Sequence, residues 1–199
     1  HRYYPTVQIE LYRTDPAKLA ERWLLSDAPE TPTTDFYCEN QAVFQSRLMK
    51  MEKLLAERAA SMPWFSLVVA AAAEIGNNSF DHNIGNWPDI RGIFFACDIR
   101  KKIIVLADRG RGVLKTLQQV RPQLNSDHDA LHTAFTEVVS GRAPEARGNG
   151  LKYVQSITAQ YLLVLEFWSG SAKAQLWDDG LKIEQSGLNI VGCLAVITY

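Results

Sequence analysis

The order in which two hydrophobic periodicities succeed one another constrains this chain more than any other feature. Gly92 to Asp98 and Lys102 to Ala107 read as two strands joined by the tight polar connection Ile99-Arg100-Lys101. A second block closes the chain. Tyr161 to Ser169, Ser171 to Trp177, Leu181 to Gln185 and Val191 to Tyr199 read as strands, with turns at Ser169-Gly170 and Asp178-Asp179-Gly180. Val7 to Arg13, alternating through Val7, Ile9 and Leu11, reads as a first strand. Helical spacing fills the remainder. Helices, two strands, helices and then three or four strands predict an α+β fold. The expected form is a two-layer α/β sandwich with a mixed, mostly antiparallel sheet and helices on one face.

The helices carry their own start signals. Pro16 to Leu25 follows Asp15, a natural N-cap, and opens on proline, which suits a first helical turn. Glu39 to Ser61 is a long helix with Val43, Leu48, Met51, Leu54 and Leu55 along one stripe. Its basic border of Arg47, Lys50, Lys53 and Arg58 leaves two options: packing on the domain, or a homodimer or partner contact. Pro63 starts the next helix, Trp64 to about Phe80, and Val113 to Val120, His128 to Val139 and Leu151 to Ala159 follow. A chain of 199 residues fits one domain over 63–199, with residues 1–62 packed on it or extending it.

Composition removes several function classes. A net charge of −1 carries no polyelectrolyte signature, so a basic nucleic-acid surface is not expected. Cys38, Cys97 and Cys193 lie far apart without a CxxC, which argues for a reducing compartment and against a disulfide framework or zinc site. The longest apolar run, Phe65 to Ala73, falls well short of the ~20 residues that span a bilayer, so no membrane partner is expected. No signal-peptide pattern is present, although a chain beginning at His1 leaves an upstream segment open. The expectation is a cytoplasmic protein.

Three short motifs carry chemistry. In "AAAEIGNNSFDHN", Ala71 to Asn83, Glu74 and Asn78 lie four apart and share a helix face, with His82 one further turn along. Phe65, Val68, Ala72 and Ile75 can then pack inward. A carboxamide oxygen is a hard ligand for Mg²⁺, and a carboxylate one turn away can take a proton from an attacking hydroxyl or water. The plain alternative is a solvated helix end. In "LADRGRG" a strand delivers Asp108 to a turn where Gly110 and Gly112 allow close backbone approach to a ligand. There the carboxylate could accept a hydrogen bond from an exocyclic amino group such as that of adenine. An ordinary strand-to-helix turn is the competing reading. In "ARGNGLKYV" Gly148 and Gly150 precede a helix whose free N–H groups form an anion site, with Arg147 and Arg142 adding charge.

Taken together and in this order, ExxxN on a helix, DxGxG after a strand and GxGL before a helix resemble the GHKL superfamily of ATP-binding domains. "EIGNNSFDHN" is similar to its N-box, and "DRGRG" and "GNGL" to its two glycine boxes; the resemblance runs from about Trp64 to Tyr199. It implies a Bergerat-type sandwich binding ATP and Mg²⁺ between helices and sheet. By that resemblance Glu74 is the general base, Asn78 ligates Mg²⁺, and Asp108 holds the adenine amino group. Gly110, Gly112, Arg147, Gly148, Gly150 and Leu151 line the nucleotide, and Val113 to Arg147 forms a mobile ATP lid.

Departures shape the reading. Asp81 stands where histidine kinases often place a Lys or Arg, and Cys193 where a Thr is common near the adenine pocket. No His-Glu-x-Arg phosphoacceptor box occurs among His1, His82, His128 and His132, which excludes a complete histidine kinase over these residues. By size the chain looks most like stand-alone regulatory ATPases of the anti-sigma-factor kinase type. Two functions follow as expectations. One is an ATPase or protein kinase acting on a partner or phosphoacceptor protein. The other is a nucleotide-gated binding module with little turnover.

Overall fold

The computed structural model describes residues 15–58, 61–137 and 150–199. Helix α1, Pro16–Leu25, begins at Asp15, whose carboxylate accepts from the Ala17 N–H at 3.0 Å. The two-residue strand β1, Tyr37–Cys38, leads into α2, Gln41–Ala56, where the Asn40 side chain accepts from the Val43 N–H. Helix α3, Phe65–Asn83, carries the first motif. Strands β2, Ile93–Asp98, and β3, Ile103–Asp108, follow, then α4, Gly112–Leu117, and α5, Asp127–Thr136. Helix α6, Gly150–Gln160, precedes the long hairpin β4, Val164–Trp177, and β5, Gly180–Thr198. The expected strand Val7 to Arg13 lies outside the described residues.

Among the described residues five strands form one sheet in the order β1-β2-β3-β5-β4, and every neighbouring pair is antiparallel. The main core lies between one sheet face and the helix layer, as a two-layer α/β sandwich requires. Along α2 the buried stripe is Phe44, Leu48, Met51 and Leu55; Leu54, expected on it, is exposed. Leu54 lies about 100° round the helix from Leu55 and so points off that stripe; Phe44, at its start, packs where α3 carries Gly76. A Cβ there would collide with the Phe44 ring, so the missing side chain lets α2 and α3 close on that phenyl group. Val68, Ala72 and Ile75 of α3 are buried as expected.

The opposite face is also covered in part. The Ala20, Trp23 and Leu24 side of α1 packs with Phe94, Ala96, Val105, Ala107, Leu194 and Val196 in a second core, so the helices do not all share one face. Nor does the chain turn at Ser169-Gly170. Strand β4 runs through that point with a register shift, and the hairpin turns at Asp178-Asp179, where Trp177 pairs with Gly180. Gly170 takes φ +58°, and the burial phase steps from Leu165, Phe167 and Ser169 to Ala172, Ala174 and Leu176. The register with β5 shifts twice here, from Ser169 opposite Cys193 to Gly170 opposite Ile190 and then Ala172 opposite Gln185, so the additional residues lie in β5 and β4 changes phase opposite them.

Candidate functional site

Two of the three motifs meet on successive turns of α3, and a single described glycine brings in the third. Glu74 and Asn78 project from the same side of α3 toward the start of α6. A Cβ at Gly150 would lie 2.6 Å from Glu74 Oε2 and 2.8 Å from Asn78 Nδ2. The glycine therefore makes the space in which a carboxylate and a carboxamide sit beside the first turn of a helix, where N–H groups lack intrahelical partners. Leu151 packs against the main core next to it. Arg142, Arg147 and Gly148 lie outside the described residues.

Through Ser79, the residue after Asn78 and on the adjacent face, α3 reaches Asp108, the last residue of β3. The Ser79 hydroxyl donates to Asp108 Oδ2 at 2.8 Å, and the Gly110 N–H donates to Oδ1 at 2.8 Å. The Asn83 amide lies 3.5 Å from Oδ1 and also donates to the Ser79 carbonyl at 2.8 Å, while its oxygen accepts from the Arg111 N–H. Asp108 is 2% exposed. Burial pushes its carboxyl up to about 6, against the lowering effect of the Ser79 and Gly110 hydrogen bonds. Each carboxylate oxygen can accept more than one hydrogen bond, so an incoming amino group could still be received. Ser79 and Asn83 escaped the sequence reading. Their signal was two polar residues four apart on the stripe that otherwise faces the sheet.

The glycines after Asp108 do less for a ligand than expected. The space beside Gly110 is filled by the Asn83 carboxamide, and Gly112, at φ +75°, faces the Ser169 hydroxyl. The Val113 N–H donates to that hydroxyl at 2.9 Å, so this loop is fastened to the sheet. Cys193 pairs in register with Asp108 across β3 and β5. Burial, then the Asp108 charge, hold its thiol well above the usual range.

The remaining polar residues of the first motif separate. Asn77 accepts from Gln41 and Gln45 of α2 and serves helix packing. Asp81 is exposed. The His82 carbonyl accepts from the Arg111 guanidinium. His128 and His132 are exposed, and among the described residues no group of three His, Cys, Asp or Glu could hold a metal. A metal at Asn78 would therefore draw its other ligands from a phosphate and water, a donor set that suits Mg²⁺. Two open hollows, about 290 Å³ among Tyr37, Glu39, Asn40 and Arg91 and about 340 Å³ beneath α2, lie away from these motifs.

Within the expected lid, α5 is packed into the body of the protein, whereas α4 buries no residue. Leu131 and Phe135 of α5 are fully buried in the main core. Asp127 accepts from the Ser171 N–H at 2.9 Å and its hydroxyl at 3.0 Å, pinning the start of α5 to β4 where its register with β5 shifts. Residues 138–147 of the expected lid lie outside the described residues. No protein-family model matches the chain, and no curated protein matches it.

Proposed function

We propose that the protein binds Mg-ATP in the manner of the GHKL superfamily and acts as an ATPase or protein kinase that regulates a partner protein. One observation carries this reading. The side chains of Glu74 and Asn78 converge on Gly150, while the adjacent face of the same helix holds the Asp108 carboxylate through Ser79. A random solvated helix end would not gather a carboxylate and a carboxamide beside a helix N-terminus on one face and, on the adjacent face, hold a buried carboxylate.

In this reading Asp108 accepts from the adenine amino group, and Asn78 offers its amide oxygen to Mg²⁺. Glu74 takes the proton of an attacking water or partner hydroxyl. When bound, the metal neutralises phosphate charge. Phosphoryl transfer asks the protein mainly for positioning and charge stabilisation, which these groups can provide. Exposed Asp81, a carboxylate one turn from Asn78, favours the second reading, a nucleotide-gated binding module with little turnover. Calorimetry with Mg-ATP, paired with phosphate release and transfer assays, tests both. Binding with turnover supports the enzyme, binding without turnover even with the partner supports the module, and no binding removes both.

A further inference from the structure

Arg109, the residue after Asp108, is 3% exposed, and its guanidinium faces the other side of the sheet. Nε and Nη2 donate to the Asp89 carboxylate at 2.9 and 2.8 Å. Burial works against the Asp89 charge, but the Arg109 hydrogen bonds prevail and hold its carboxyl below the usual range. Nη1 donates to the carbonyls of Trp23 and Leu24 at 2.6 and 3.0 Å, and Nη2 to that of Ser26 at 3.1 Å. These carbonyls belong to the C-terminal end of α1, where the helix ladder leaves acceptors over and a cation is favoured.

The peptide carrying this guanidinium has little slack. On one side is Asp108; on the other is Gly110, whose N–H holds the Asp108 carboxylate. Gly192, at φ +73°, lies so close to the Asp108 carbonyl that any side chain there would collide with it. A shift of the Arg109 backbone must therefore move Asp108 or its hydrogen bond. Burying a guanidinium is costly unless every donor is met, and α1 already has Trp23 and Leu24 to hold it. The extra connection ties the helix to the carboxylate in particular.

We propose that α1 is a regulatory handle on the nucleotide site, with Arg109 as the positioning residue that links docking of α1 to the setting of Asp108. Whatever draws α1 off the sheet weakens nucleotide binding, and bound nucleotide holds α1 down by the same factor. The nucleotide part rests on the function proposed above; the link between α1 and Asp108 does not.

Arg109→Lys keeps the charge but loses the planar fork, and Asp89→Asn loosens the guanidinium from outside both α1 and the motif. Circular dichroism checks that each folds. Amide exchange by NMR is followed in α1 and at Gly110, and ATP affinity by calorimetry. In both variants exchange at α1 and Gly110 should accelerate together, and ATP should bind about 10-fold more weakly, inside the 5- to 150-fold range of ordinary coupling. In the wild type a non-hydrolysable ATP analogue should slow exchange of α1. If α1 exchanges faster while Gly110 and ATP affinity stay unchanged, the coupling is overturned. If the wild type binds no ATP, the nucleotide reading fails, and linked or unlinked exchange of α1 and Gly110 still decides the link itself.

Discussion

The Ser79 hydroxyl and the Asp108 carboxylate, joined at 2.8 Å, fasten the C-terminal part of α3 to the end of β3 inside the protein. Burying that carboxylate costs the free protein more than the hydrogen bond returns, and the cost can be measured.

The carboxyl of Asp108 titrates at about 6 instead of the usual 3.8, so between these values the folded state holds the proton that the unfolded state has released. Its contribution to stability is full below the lower value and is lost as pH rises through the upper one. At 1.36 kcal/mol per pKa unit the ionised group costs about 3 kcal/mol. Asp108→Asn should therefore raise the unfolding midpoint at pH 7.5, with the advantage shrinking toward pH 4. ATP affinity should fall by ~1.5–3 kcal/mol, the range for a hydrogen bond involving charge. Denaturant titrations across pH, with calorimetry alongside, check both halves. A variant less stable at pH 7.5 would contradict the burial cost.

Gly150→Ala separates site from scaffold. The added methyl would meet the flexible ends of Glu74 and Asn78, not backbone, and Gly150 holds no left-handed φ that alanine would strain. The variant should melt no lower than wild type yet lose most Mg-ATP binding. Unchanged affinity would show that Glu74 and Asn78 do not hold the nucleotide.

Glu74 and Asn78 should differ in kind. Glu74→Gln should leave affinity nearly intact and slow turnover by the ~10²–10⁴-fold expected for loss of a general base. Asn78→Ala should lose binding and turnover together. Equal turnover in Glu74→Gln and wild type excludes Glu74 as the base.

Helix α5 should behave as core. Phe135→Ala should destabilise the fold by ~3–5 kcal/mol, as for a buried aromatic. Amides of residues 130–136 should be protected without nucleotide. Rapid exchange there in the free protein would restore the mobile lid over this stretch.

Local chemistry made much of the architecture legible. Asp15 and Pro16 announced α1, and the apolar blocks announced β2 and β3 to within a residue. Long-range pairing was not legible. Gly170 looked like a turn because glycine marks turns and bulges alike; only pairing of Ala172 with Gln185 tells them apart. The α5 stretch was read as part of a mobile lid from the family resemblance, and its anchors, Ser171 of β4 and the main core, lie far away in the chain. Gly110 was read as room for a ligand, whereas α3 spends that room on Asn83. Glu74 and Asn78 were legible because one helical turn suffices to align them, but Gly150 as their neighbour required the tertiary fold.

Cys193, paired with Asp108, gives this end of the sheet a built-in chemical reporter. A half-buried thiol whose ionisation is opposed by desolvation and then by a neighbouring carboxylate offers little thiolate, the form that alkylating reagents attack. Labelling is therefore slow in the folded protein, and excursions that part β3 from β5 or let water reach their ends quicken it. In a protein with Cys38 and Cys97 replaced by serine, the alkylation rate thus reports access to the end of β5, and any molecule settling against Asp108 slows it.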